Sequence, residues 1–173
     1  MKRTVIFLAA VMAAVMLLCA CSSGGSSSES NSAKESSSSQ ANGGNSLSDV
    51  WSAIKNEVSF SDFNEFTEVK KLQRYYGITE DMVDGYAGGI NGSGVNQEEV
   101  VLVKAKDDSS ASKIKEQLDA RFQSKLNQNE NYNPEQAKMI EGCQVEQHGL
   151  YVTMIVSDNA EKITKIFKEQ AGI

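Results

Sequence analysis

The stretch Glu98-Glu99-Val100-Val101-Leu102-Val103-Lys104-Ala105-Lys106 decides the fold. Four consecutive apolar residues, three of them valine, lie between charged ends, which is typical of a β-strand. Asn91-Gly92-Ser93-Gly94 precedes it and favours a turn. Before that turn, the segment from Met82 to Ile90 contains three glycines and predicts an edge strand that bends. Together these residues predict a β-hairpin.

A second hairpin is predicted near the C-terminus, from Cys143 to Gln147 and from Leu150 to Ser157, with its turn at His148-Gly149. Three amphipathic helices are predicted from apolar residues spaced three and four apart. Each begins at a polar capping residue, and these residues are Ser46, Asp107 and Asp158.

Two shorter segments fill the remaining intervals. From Phe60 to Leu72 an apolar residue recurs every third position, which predicts short helical turns that end at Gly77. Pro134 can open a further short helical piece.

The resulting order is helix, hairpin, helix, hairpin, helix. Hairpins that alternate with helices predict an α+β domain, because consecutive hairpins build an antiparallel sheet and the helices cover it. We therefore expect a four-stranded antiparallel sheet built from the two hairpins, with the helices packed on one face.

The N-terminal 46 residues have the composition of an export signal and a linker. Met1-Lys2-Arg3 is basic, and Val5 to Ala20 is an uninterrupted run of apolar or small residues, too short to span a bilayer comfortably. The run ends in Leu18-Cys19-Ala20-Cys21, which resembles the lipobox of bacterial lipoproteins, with Cys21 as the lipidated cysteine. Cys19 is a mild departure from the usual residue at its position.

The segment after Cys21 contains 12 serines and four glycines in 25 residues and no Ile, Leu, Val or aromatic residue. Such a composition cannot bury enough apolar surface to fold, so it predicts a disordered tether. The sequence thus predicts a signal peptide at residues 1–20, lipidated Cys21 with its tether at 21–46, and a single α+β domain at 47–173. An exported, lipidated chain is expected on the extracytoplasmic face of the cell membrane, bound through its lipid anchor.

Charge and residue counts exclude several kinds of function. The predicted domain contains 14 Lys and Arg against 21 Asp and Glu, the wrong sign for binding a phosphate backbone, so no nucleic-acid partner is expected. One His, and one Cys besides the two in the signal region, predict no metal site, no cofactor and no catalytic triad. His148 is expected in a turn, and Cys143 is expected to pack as a small hydrophobe.

One ion pair is predicted from the periodicity of two elements. Glu99 begins the central strand and Arg121 lies on the edge of the apolar stripe of the following helix. From Glu99 to Ala105 the strand advances six steps of about 3.3 Å, or roughly 20 Å. From Ser109 to Arg121 the helix returns twelve steps of about 1.5 Å, or roughly 18 Å, which is nearly the same height. Glu99 and Arg121 should therefore form a partly exposed salt bridge, worth no more than about 1 kcal/mol. A role in holding a ligand carboxylate is the alternative.

The chain from residue 47 onward resembles a Gram-positive (Firmicutes-type) lipoprotein family catalogued as a domain of unknown function. The resemblance rests on Tyr76-Gly77-Ile78, a Glu99 and Lys104 strand, Arg121 in a helix, and Tyr132 with Pro134. It implies a lipid-anchored envelope protein and no catalytic activity. Arg121, Glu99, Lys104 and Tyr132 are accordingly the candidate ligand-binding or structural residues.

Two functions remain open on the sequence alone. The leading hypothesis is a non-enzymatic binding or accessory module that meets an envelope protein or a wall-derived ligand. The alternative is a small cell-wall hydrolase that uses carboxylates such as Glu98, Glu99 or Asp107. The oligomeric state is open.

Overall fold

The computed structural model describes residues 45–173, which lie within one compact unit. The predicted signal peptide, Cys21 and nearly all of the predicted tether lie outside the described residues. The helices are α1 (Leu47–Glu57), α2 (Val69–Tyr76), α3 (Asp108–Glu130), α4 (Pro134–Glu141) and α5 (Ala160–Ala171). The strands are β1 (Phe63–Glu65), β2 (Val83–Asn91), β3 (Glu99–Ala105), β4 (Gln144–His148) and β5 (Tyr151–Val156).

The α+β class and the antiparallel sheet are confirmed, but the sheet has five strands in the order β1-β2-β3-β5-β4. The two predicted hairpins are β2–β3 and β4–β5, and the antiparallel pairing of β3 with β5 joins them. The prediction that His148 lies in the second turn is wrong, because His148 ends β4 and pairs with Tyr151, which leaves Gly149-Leu150 as the turn. The additional strand β1 pairs with β2, so the prediction of helical turns from Phe60 to Leu72 is wrong for this part of the segment. The same pairing gives β2 a neighbour on both sides, so the prediction that β2 is an edge strand is also wrong. A strand of three residues is too short to show the alternation of apolar and polar side chains by which strands are predicted. Asp62, with φ of 50°, turns the chain just before β1.

The prediction that all helices pack on one face is also wrong. α1 and α5 cover one face of the sheet, where they bury Val100 and Leu102, whereas α3 covers the other face together with α2 and α4 and buries Val101 and Val103. β3 is the middle strand of the sheet and is therefore enclosed on both sides. A strand buried on both faces has a continuous apolar run rather than an alternating one, and Val100 to Val103 is such a run.

The predicted helix starts are correct for α1 and α3. The Ser46 hydroxyl accepts a hydrogen bond from the Asp49 N–H at 3.2 Å, and the Asp107 carboxylate accepts one from the Ser110 N–H at 2.7 Å. α2 ends at Gly77, whose φ of 75° is the left-handed conformation that favours glycine at a helix C-terminus. α5 begins one residue later than predicted, with Asn159 rather than Asp158 at the N-cap.

The domain has two ends, set by the direction of β3. The Asn45 end is where the described chain enters the domain: Asn45 donates from its backbone N–H to the Gln170 carbonyl at 3.1 Å and from its side chain to the Gln170 amide oxygen at 2.7 Å. The loop end lies at the opposite pole, where β3 begins at Glu99, and it contains the β2–β3 turn, the α3–α4 connection and the β5–α5 connection. α5 runs from the loop end to the Asn45 end, and its 12 residues span about 18 Å.

Candidate functional site

The Glu99 carboxylate is the centre of a buried ion cluster at the loop end. Glu99 is fully buried, because it starts the central strand on the face that α3 covers. The Tyr76 hydroxyl donates to Oε1 at 2.8 Å, and Arg121 donates from Nε to Oε1 at 3.1 Å and from Nη2 to Oε2 at 2.9 Å. Lys125 Nζ lies 2.9 Å from Oε2. Each carboxylate oxygen thus has two partners: a hydroxyl and a cation at Oε1, and two cations at Oε2.

The predicted Glu99–Arg121 salt bridge is confirmed by this geometry, but the expectation of a partly exposed pair is wrong on the acidic side. Arg121 retains 30% of its side-chain exposure, whereas Glu99 has none. α2 closes over the carboxylate through Tyr76, which the strand and helix periodicities do not predict. Lys125 was also not predicted as a partner, although it lies one helical turn beyond Arg121 on the same face of α3.

Burial and charge act in opposite directions on the pKa values of Glu99 and Lys125, and in the same direction on that of Tyr76. Burial acts to raise the pKa of Glu99, but the hydrogen bond from Arg121 and the charges of Lys125 and Arg121 outweigh it, so this pKa lies below its ordinary value. Burial lowers the pKa of Lys125, although the Glu99 charge opposes that change. Burial and the adjacent Glu99 charge together raise the pKa of Tyr76, which keeps its hydroxyl protonated as a donor.

Lys125 connects the buried cluster to the surface turn between β2 and β3. Its ammonium donates to the Gln97 carbonyl at 2.9 Å and to the Gln97 side-chain oxygen at 3.2 Å, in addition to its contact with Glu99. The Gln97 N–H in turn donates to the Gln136 side chain at 2.7 Å. These bonds tie the β2–β3 turn to α3 and to α4, so the buried ions fix the position of the surface loops.

The other two predicted site residues do not join this cluster. The Lys104 ammonium lies 5.7 Å from the centre of the Tyr151 ring, near the Asn45 end and on the face of the sheet that α1 and α5 cover. Tyr132 lies in the α3–α4 connection at the loop end and is 91% exposed.

Among residues 45–173, four large hydrophobic side chains are exposed, namely Tyr75, Val95, Tyr132 and Ile173. The first three all lie at the loop end, and Ile173 lies at the Asn45 end. Aromatic residues are enriched where proteins contact partners, so the loop end is the part of the domain to test for a contact.

A cavity of about 460 Å³ opens beside the cluster, between α2 and the β2–β3 turn. The residues that line it are Asn64, Lys71, Tyr75, Ile90, Asn91, Gly92 and Gly94. Tyr75 is also next to the cluster, because its ring centre lies 6.2 Å from that of Tyr76. The cavity has the volume of a small-molecule site.

A larger cavity of about 590 Å³ lies on the side of the domain, between β4 and α5. Both of its lysines are already paired: Lys168 contacts Glu146 at 2.9 Å, and Lys165 lies 3.9 Å from Glu169. Glu161 adds a further negative charge to the lining. Cys143 lines this cavity, and burial raises the pKa of its thiol, which favours the protonated form. We therefore regard the loop end as the better candidate site.

Within residues 45–173, no group of three or more His, Cys, Asp or Glu side chains could hold a metal ion. No helix in that part of the chain has the length and apolar character needed to cross a bilayer.

The fold and the cluster define a class of domain: a five-stranded antiparallel sheet between two helical layers, with a buried carboxylate held by two cations at one pole. The chain belongs to the family described as "Domain of unknown function (DUF4358)", which matches residues 56–157, more than half of its length. The matched region contains all five strands and every member of the ion cluster. No curated protein and no solved structure is significantly similar to the chain.

Proposed function

We propose that the chain is a lipid-anchored protein on the extracytoplasmic face of a Gram-positive-type cell membrane, and that its domain is a non-enzymatic binding or accessory module. The lipobox-like Leu18 to Cys21 segment and the serine-rich composition that follows it support the anchor and the tether. In this proposal the loop end is the surface that meets an envelope protein or a wall-derived ligand.

One observation supports this assignment above the others: the chain enters the domain at the pole opposite three of the four exposed large hydrophobic side chains. Asn45 is fixed to Gln170, whereas Tyr75, Val95 and Tyr132 lie at the loop end. A protein anchored through its N-terminus can therefore turn this surface away from the membrane, toward the wall.

The contacts of three carboxylates favour a binding module over the hydrolase. Glu99 is saturated by four donors, as described above. Asp107 caps α3 through the Ser110 N–H, and Glu98 accepts hydrogen bonds from Ser157 at 2.7 Å and from Asn96 at 3.1 Å. A glycoside hydrolase needs one carboxyl group that can give up a proton and a second that faces the substrate. All three side chains already have structural partners.

The anchor is tested by labelling the full chain with a radioactive fatty acid in its own cells. The Cys21→Ala variant should remain unprocessed and unlabelled, because only the Cys21 thiol is placed to take the diacylglyceryl group. The Cys19→Ala variant is the matched control and should be labelled normally. Labelling of Cys21→Ala would contradict the assignment.

The binding role is tested by placing a photo-crosslinking residue at Tyr132 or, as the control, at Ile173 of the full-length anchored protein. Both positions are exposed, but they lie at opposite ends of the domain. We expect one discrete crosslinked species, identified by mass spectrometry, from position 132 only. Equal capture at both positions, or none, would contradict a binding surface at the loop end. Release of soluble wall fragments by the purified full chain would instead support the hydrolase.

A further inference from the structure

We infer that the 460 Å³ cavity between α2 and the β2–β3 turn is a binding site for a small organic ligand that carries a carboxylate. The inference rests on the proposed binding function and names the ligand class at the same end of the domain. It follows from the charge of the cavity lining, from the excess of cations behind it and from its apolar floor.

The lining of the cavity carries one positive charge and no negative charge, whereas the domain as a whole is acidic. Residues 45–173 contain 21 Asp and Glu against 14 Lys and Arg, yet none of the seven residues that line the cavity is acidic and one is a lysine. Lys71 donates one hydrogen bond to the Glu65 carbonyl at 2.6 Å, so two of its three ammonium protons are left for other acceptors. The nearby Glu65 carboxylate is paired with Lys55 at 2.8 Å.

The ion cluster adds positive charge on the far side of Tyr75. Glu99 contributes one negative charge to the cluster, and Arg121 and Lys125 contribute two positive charges, so the cluster is cationic by one unit when Lys125 is protonated. Together with Lys71, this makes the surroundings of the cavity favourable for an anion, since charges in a partly enclosed site are weakly screened.

The cavity also has neutral donors and an apolar floor. The side-chain amide nitrogen of Asn64 packs against Gly92. A β-carbon at position 92 would collide with this nitrogen, so glycine leaves the room that the amide occupies. The Tyr75 hydroxyl is a second neutral donor. Ile90 supplies an aliphatic floor, and the Tyr75 ring supplies a flat apolar wall.

This arrangement fits a carboxylate better than a phosphate. Phosphate sites usually use several arginines, a helix N-terminus or a nest of backbone N–H groups. Here a single ammonium and neutral donors face an apolar surface, which suits a monoanion attached to a small organic body, such as an N-acylated amino acid or the end of a peptide.

The inference is tested with the full chain in detergent micelles, labelled with ¹⁵N on glycine. The amide signals of Gly92 and Gly94 report on the cavity, and Gly142 and Gly149 are remote controls. The probe is N-acetyl-L-alanine, and the neutral N-acetyl-L-alanine amide is its matched control. We expect the acid alone to shift the signals of Gly92 and Gly94, with a Kd in the millimolar range. Equal shifts with the amide, or none with the acid, would overturn the inference.

Variants of two neighbouring lysines test the role of Lys71. Lys71→Gln should weaken binding of N-acetyl-L-alanine about tenfold, and Lys71→Arg should retain most of it, because the charge is kept. Lys70→Gln removes the same charge from the adjacent exposed position of α2, outside the cavity lining, and should change Kd less than twofold. Equal loss in Lys71→Gln and Lys70→Gln would show a nonspecific charge effect and overturn the site.

Two further results distinguish an error in the ligand class from an error in the cavity assignment. Inorganic phosphate that binds more tightly than the acid would overturn the ligand class. If N-acetyl-L-alanine fails to bind while crosslinking at Tyr132 still captures a discrete partner, the cavity inference is wrong and the proposed binding function stands.

Discussion

Replacing Glu99 by Gln is the sharpest test of the buried cluster. The substitution keeps the size of the side chain and removes one negative charge that two cations share. Gln has one acceptor oxygen in place of two, and its NH₂ group would face donors. At least one of the cations, Arg121 or Lys125, would then lose its counter-charge in a site where Glu99 is fully buried and Lys125 nearly so.

The expected loss is large for a single substitution. Breaking a buried ion pair by removing one partner costs about 3–5 kcal/mol, because the remaining charge is left without compensation. Domains of this size are commonly stable by only about 5–15 kcal/mol. With a urea slope of about 2 kcal/mol per molar, the unfolding midpoint should fall by roughly 1.5–2.5 M. This expected loss exceeds the sequence-based value of about 1 kcal/mol, which assumed a partly exposed pair.

The assay is urea unfolding of the full chain, followed by far-UV circular dichroism. Glu116→Gln is the matched control, since Glu116 is an exposed residue of the same helix, and it should change the free energy of unfolding by less than about 0.5 kcal/mol. Replacing Glu99, Arg121 and Lys125 together by Met should recover much of the stability lost in Glu99→Gln, because no charge remains buried. A loss below about 1 kcal/mol in Glu99→Gln would refute the reasoning.

Three further predictions concern stability. Tyr76→Phe removes one donor to an ionised carboxylate and should lower the free energy of unfolding by about 1.5–3 kcal/mol in the same urea assay. The pKa of Glu99 is lowered in the folded state, so the contribution of its ionised carboxylate to stability is fully present above the unfolded pKa near 4.5 and is lost as pH falls through the folded pKa. Below pH 4.5, the free energy of unfolding of the native chain should therefore fall more steeply with decreasing pH than that of Glu99→Gln. Gly88→Ala should lower the free energy of unfolding by at least about 2 kcal/mol, since φ is 117° and a β-carbon would collide with the Val100 carbonyl. Gly149→Ala is the control: φ is 56° and no atom lies near the new β-carbon, so the loss should be about 1 kcal/mol. Equal losses in the two variants would contradict this explanation.

The cluster shows where sequence reasoning succeeds. The Glu99–Arg121 pair could be predicted because a strand and a helix advance by fixed distances per residue, so two positions can be compared in height without knowing the rest of the fold. Lys125 could not be assigned with the same argument, because a lysine is normally expected in solvent and its burial depends on the Gln97 carbonyl that receives it. Tyr76 required the position of α2, which no periodicity fixes.

The errors in the fold have equally local causes. The four apolar residues from Val100 to Val103 already indicated burial on both faces of β3, and this pattern argues against helices on one side only. β1 could not be read from Phe63-Asn64-Glu65, because three residues contain too little of a pattern and the strand exists only through its pairing with β2. The cavity beside α2 combines residues from three elements, so no single stretch of sequence indicates it.

The attachment of Asn45 to Gln170 has a mechanical consequence. In a chain held by its N-terminus, a pull on the domain acts first on the two hydrogen bonds between these residues and then on α1, which packs on the sheet but forms no strand of it. Under such a load α1 would peel from the Asn45 end, one turn at a time, and the inter-strand hydrogen bonds of the sheet would not be sheared. The ion cluster, in α2, β3 and α3, and the cavity, in β1, α2, β2 and the β2–β3 turn, lie at the other pole. They would therefore keep their geometry during the first stage of forced unfolding.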